Sequence, residues 1–163
     1  MDDRSSTGSS GRIASRFDWI WKSLVSSICG SLAHAALMET KLRAGLLPDF
    51  DPAGALELKL APLFAHFSLG GAEPWLLSQL NGATVIGLLF GRFYHHLPGD
   101  SGLAKGFLLG VAGWLLLSLV LFPLLGLGPF GSAIGPAVFS FAMVQAFSLV
   151  LGAVYAALQA KSD

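Results

Sequence analysis

The sequence predicts an all-α fold: a bundle of four transmembrane helices with both termini in the cytoplasm and a short amphipathic segment in the first outer loop. A charge-free run is the strongest sign. From Gly106 to Ala160 there is no Asp, Glu, Lys, Arg or His over 55 residues. As one helix this run would measure roughly 80 Å at ~1.5 Å per residue, against a hydrocarbon core of ~30 Å. It must cross, turn and cross again, and Gly126-Leu-Gly-Pro-Phe-Gly131 supplies the turn. Composition agrees, because 53% of the chain is apolar and only 12% charged, outside the soluble range. Twenty glycines in so apolar a chain point to closely packed helices.

Residues 1–16 are Ser/Gly-rich, mixed in charge and without periodicity, and read as a disordered cytoplasmic tail. Phe17–Lys22 adds two tryptophans beside a lysine, a composition suited to the headgroup zone. Residues 1–22 are thus tail and anchor, and residues 23–160 the membrane domain. The first span covers about 23–46. Ala33-His-Ala35 mimics a signal-peptidase site, but the apolar stretch before it is short and serine-laden, so the segment reads as a retained helix. In the following loop, Leu56, Leu60, Leu63, Phe64 and Phe67 fall at helical spacing within 53–67, as in a helix lying on the membrane surface. The second span covers about 75–97 and stops at Pro98-Gly99. The third covers about 102–127, with a kink expected at Pro123. The fourth covers about 132–159, with Pro136 tolerated in its first turns.

Orientation follows from basic residues. With both termini inside, Arg4, Arg12, Arg16, Lys22, Arg92, Lys105 and Lys161 lie on the cytoplasmic side and Lys41, Arg43 and Lys59 outside, seven against three. Acidic and basic residues balance at ten each, so no bulk charge favours nucleic acid. The single Cys29 excludes an intrachain disulfide or a cysteine metal cluster.

Lipid is as apolar as leucine, so small residues must let the helices approach. Gly102, Gly106 and Gly110 form a double GxxxG on the third span, and Gly87 with Gly91 another on the second. Ser148, Gly152 and Ala156 form a ridge on the fourth, and Ser23, Ser27 and Ser31 on the first.

The segments Trp75-Leu-Leu, Gly87-Leu-Leu-Phe-Gly91, Leu97-Pro-Gly99 and Phe122-Pro-Leu-Leu-Gly-Leu-Gly-Pro-Phe-Gly131 carry a resemblance over about residues 24–158. Ala35-Ala-Leu-Met38 and Gly45-Leu-Leu-Pro48 fit it too. The chain resembles a family of small four-helix bacterial membrane proteins classed as a domain of unknown function. The resemblance implies a topology and a place in the bacterial cytoplasmic membrane, and no activity. Members of that family often have a histidine early in the second span and another in the fourth. At those places this chain has Ser78-Gln79 and Gln145, so no histidine-based role carries over.

The candidate chemistry is sparse. His34 sits near the middle of the first span, where an ionisable side chain is expected to be functional or hydrogen-bonded to a neighbouring helix. Glu39 and Arg43 have the spacing of a helical ion pair. On a helix, His34 and Glu39 lie about 140° apart and do not share a face. His95-His96 reads as an interface cluster rather than a metal pair, because adjacent helical residues diverge and no other ligand adjoins them. A haem between His34 and His95 would need to bridge ~15 Å of membrane depth. Neither a metal nor a cofactor is expected. Gly126–Gly131 lacks the Lys and Ser/Thr of a phosphate loop, and no nucleophile elbow, HExxH or dinucleotide fingerprint occurs.

The polar membrane residues His34, Glu39, Gln79, Asn81 and Gln145 fall from mid-membrane into the outer half, where polar groups should face one another. They predict a polar pocket open to the outside and roofed by 53–67. The functional expectation is a non-enzymatic accessory bundle that binds a membrane-protein partner or a second copy of itself. A small transporter or channel using that pocket is the alternative.

Overall fold

A computed structural model describes the backbone of residues 8–52, 54–56, 58–59 and 74–161, and the side chains of 18–52, 54–56, 58–59 and 83–161. The fold is all-helical, and the described residues include no strand. Helix α1 spans Gly8–Arg43 and α2 spans Pro74–Phe93. Helix α3, Gly102–Leu116, continues through a π turn at Leu117–Leu121 into the short α4, Phe122–Leu125. A 3-10 turn at Pro129–Ser132 leads into α5, Ile134–Ala160. Gly102–Leu125 and Ile134–Ala160 are long and apolar enough to cross a membrane, with mean hydropathies of 2.4 and 2.0.

Helix ends follow local chemistry. At Gly45 the chain turns left-handed (φ 61°), with Leu46 N–H bonded to Lys41 O and Gly45 N–H to Leu42 O. That 6→1 and 5→2 pair closes a Schellman motif, which needs a residue without Cβ strain at this position. Gly126 (φ 83°) ends α4 in the same way, with Leu127 N–H on Phe122 O and its own N–H on Pro123 O. Ser101 caps α3 by accepting from Ala104 N–H at 3.1 Å.

Three local differences from the sequence expectation have physical reasons. Helix α1 starts at Gly8, inside the stretch read as an unordered tail, because residues 8–16 continue a helix already formed further along. Pro123 acts one turn upstream of the expected kink. Its ring opposes the carbonyl four residues back, and the chain widens into a π turn in which Phe122 N–H bonds Leu117 O. Lys22 turns inward instead of toward headgroups. It is 1% exposed, and its Nζ donates to Gln159 Oε1 on α5 at 3.1 Å and pairs with Asp18.

Helix α5 packs against both α1 and α3, and α1 packs against α2. Gly102, Gly106 and Gly110 of α3 lie against Gly152 and Ala156, Ser148, and Gln145 of α5. Gly87 and Gly91 of α2 lie against Ser27 and Ser23 of α1. At these contacts an added methyl group would meet a neighbour. Near the chain termini, Phe90, Tyr94, Phe147, Leu151 and Tyr155 form the aromatic core, with the Tyr94 and Tyr155 rings 4.7 Å apart.

Beside the aromatic core, many buried positions are polar and many large apolar side chains are exposed. Lys22, Ser23, Ser26, Ser27, Ser118, Ser140, Gln145 and Ser148 are buried. Ile28, Leu32, Val85, Leu89, Leu103, Leu116, Leu119 and Leu124 are exposed. The α1 hydroxyls tolerate this because each bonds its own helix: Ser23 to Trp19 O at 2.7 Å, Ser26 to Lys22 O at 2.6 Å and Ser27 to Ser23 O at 2.7 Å.

Candidate functional site

One turn beyond the aromatic core, the same face of α5 opens onto a cavity of about 630 Å³. The pattern Ser140, Met143/Val144, Phe147, Leu151 places cavity wall and core on one stripe of α5 at helical spacing. Leu117 and Leu121 of the π turn and Phe122 of α4 form the opposite wall. Helix α1 contributes a third wall, and Phe50, Pro52 and Leu56 cap the end. Leu32, Glu39 and Leu42 line the cavity and are also exposed, so it opens to the surface past α1. A wall of this kind, mostly apolar with a few polar groups, is the usual make-up of a small-molecule site.

Four polar side chains reach the cavity: His34, Glu39 and Lys41 from α1 and Ser140 from α5. Three are engaged. Glu39 accepts from Arg43 Nε at 2.7 Å in an exposed pair. Lys41 is 4% exposed; its Nζ donates to Phe50 O and lies 5.9 Å from the centre of the Phe50 ring. Ser140 accepts from Trp114 Nε1 at 3.1 Å and donates to Ala137 O at 3.0 Å. His34 makes no hydrogen bond among the described residues.

Of the five polar residues picked out from the sequence, His34 and Glu39 meet at this cavity, on opposite flanks of the α1 wall. Gln145 is elsewhere. It lies between α3 and α5 against Gly110, with Nε2 donating to Phe107 O at 3.4 Å. Gln79 and Asn81 are on α2, and their side chains lie outside the described residues, as do 60–67 of the expected roof. The wall around His34 and Glu39 is largely apolar, where a polar pocket was expected. Two buried polar atoms, Ser118 Oγ in the π turn and Gln145 Oε1, have no partner among the described residues. His95 and His96 are exposed, and their rings contact Tyr94 and Phe93. Among the described residues no three His, Cys, Asp or Glu side chains are placed to hold a metal.

Sequence reasoning passed over Lys41, which it counted as an outer interfacial charge. A usable signal existed: His34, Met38 and Lys41 stand at i, i+4 and i+7, one face of a helix. The capping residues Phe50 and Pro52 had no such signal, because a loop carries no periodicity that says what it covers.

The described residues are thus all-helical, with two helices long and apolar enough to cross a membrane and a largely apolar cavity between helices. Residues 20–163 match the family of unknown function DUF6789, and the chain belongs to that family. Comparison with curated proteins and with solved structures finds no match.

Proposed function

We propose that this chain is a four-span protein of the cytoplasmic membrane, with both termini inside, that works by binding rather than by catalysis. The exposed apolar surface carries the reading. Leucines and valines face outward on α1, α2, α3 and α5, while serines, glycines, two lysines and a glutamine face inward beside the aromatic core. In water this arrangement would expose a large apolar surface at great cost; in lipid it costs little. The 36 residues of α1 span ~54 Å at ~1.5 Å each, enough to cross the bilayer and extend beyond it. A binding role is supported by the cavity's chemistry, since a largely apolar wall surrounds a lysine whose ammonium uses one of its three donors and an imidazole without a hydrogen bond among the described residues. Beyond the cavity, the aromatic core fills the other half of the bundle, which favours a closed site over a continuous channel.

Single cysteines at Leu46, Asp100, Leu127 and Lys161, introduced into a Cys29→Ser background, test the topology. A membrane-impermeant maleimide added to intact cells should label the first and third, and the other two only after permeabilisation. Labelling of the Leu46 and Asp100 positions from the same side would show that α2 does not cross and would overturn the four-span reading.

A further inference from the structure

Lys41 presents a problem that the protein itself leaves open. Its ammonium is 4% exposed, yet its contacts among the described residues are neutral: the Phe50 carbonyl and the Phe50 ring. No carboxylate among the described residues pairs with it. Glu39, two residues away, points ~200° around the helix and is taken by Arg43. A buried cation without an anion is costly, and an ammonium has three donors, of which the carbonyl uses one. Lys41 also lines the cavity of about 630 Å³ whose remaining wall is built largely from Leu, Met, Phe and Val side chains.

Resting on the membrane reading above, we propose that the cavity binds a single-chain amphiphilic carboxylate, a long-chain fatty acid. The carboxylate meets Lys41 beneath Phe50, and the alkyl chain runs down the groove between Met143 and Leu121. The mouth past Leu32 and Leu42 faces lipid in that reading, so the ligand enters from the bilayer, where such amphiphiles concentrate. Both Leu117 and Leu121, the first and last residues of the π turn, lie on the wall of this groove. Widened turns of this kind recur at functional sites.

Binding of radiolabelled palmitate to the purified full-length protein in nanodiscs tests the proposal, with hexadecanol and a two-chain phosphatidylglycerol as competitors. Saturable binding of one palmitate per chain is expected, with hexadecanol competing about tenfold less well, the loss for one charge-assisted hydrogen bond. Lys41→Gln should weaken palmitate about tenfold and leave hexadecanol unchanged. Leu121→Trp, which fills the groove and leaves Lys41 in place, should abolish binding of both. Equal competition by palmitate and hexadecanol, or full palmitate binding in Leu121→Trp, would overturn the proposal. So would phosphatidylglycerol displacing palmitate at equal concentration, since the site would then read two-chain lipid. Cysteine labelling of the same preparations separates the two failures: correct topology without palmitate binding rejects the ligand alone.

Discussion

Gly110 and Gln145 compete for one space between α3 and α5: a Cβ on Gly110 would lie 2.5 Å from Gln145 Oε1 and 2.8 Å from its Cδ. The same seam runs along Gly106 and Gly102, but there the obstacle is backbone. A Cβ on Gly106 would strike the Ser148 carbonyl, and one on Gly102 the Gly152 carbonyl. Side chains can swing aside and helix backbones cannot. Gly106→Val should therefore cost about 1–3 kcal/mol through overpacking, and Gly110→Ala less. Gly113→Ala is the control, since its nearest neighbour would be Val144 Cγ1 at 3.8 Å. Thermal unfolding in detergent checks the order Gly106→Val, Gly110→Ala, Gly113→Ala from least to most stable. A Gly106→Val protein as stable as Gly113→Ala would mean that the α3–α5 seam is not closed.

At the α1–α2 seam the obstacle is a side chain. A Cβ on Gly87 would run into Ser27 Oγ and lie 2.9 Å from Ser27 Cβ and 3.0 Å from Ser23 O. Gly87→Ala should destabilise, and adding Ser27→Gly should restore part of the loss by removing the first two obstacles. The third, a backbone carbonyl, sets the limit of rescue. Coupling of at least about 0.5 kcal/mol between the two substitutions is expected for groups in contact. Strict additivity in the double-mutant cycle would place the two residues apart.

The pair at the start of the bundle carries a pH signature. Lys22 and then Trp21, through side-chain hydrogen bonds, hold the Asp18 carboxyl below its ordinary value. A depressed carboxylate pKa stabilises the fold above the unfolded value, near 3.9, and the gain fades as pH falls through the lower folded value. The difference in unfolding temperature between wild type and Asp18→Asn should be constant from pH 7 to pH 5 and shrink toward pH 3. A difference that shrinks between pH 7 and pH 6 would assign it to another group. Because the Asp18 side chain is partly exposed, the effect should also weaken with added salt.

Much of this fold was legible in the amino-acid sequence, for physical reasons. A 55-residue stretch without charge has few alternatives to a helical hairpin, and the observed apolar helices, Gly102–Leu125 and Ile134–Ala160, lie within two residues of the expected spans. The turn that begins at Gly126 was legible because glycines and a proline interrupt an otherwise apolar run, whereas the end of α1 at Gly45 was not, since the expected span ran through it to residue 46. The cavity was not legible. Residues such as Met143, Leu121 and Phe50 come together only once helix pairing is known, and an apolar wall looks in sequence like any other apolar helix. The inward turn of Lys22 was hidden as well, since a lysine beside tryptophans at a helix start matches an interfacial anchor. What decided it was Gln159, 137 residues away.

Two polar side chains that line the cavity, one from α1 and one from α5, should respond oppositely to removal. Ser140 Oγ receives the Trp114 indole N–H, so Ser140→Ala leaves a part-buried donor unmet and should cost about 1 kcal/mol. His34 receives and gives no hydrogen bond among the described residues, and its ring lies in an apolar cavity. His34→Leu removes a polar group that pays desolvation without return, and should leave stability unchanged or raise it. Unfolding temperatures of the two purified variants against wild type give both signs in one experiment. A His34→Leu protein destabilised as much as Ser140→Ala would show that the imidazole is held by a group outside the described residues. An unchanged or higher unfolding temperature would show that the imidazole adds nothing to the stability of the fold.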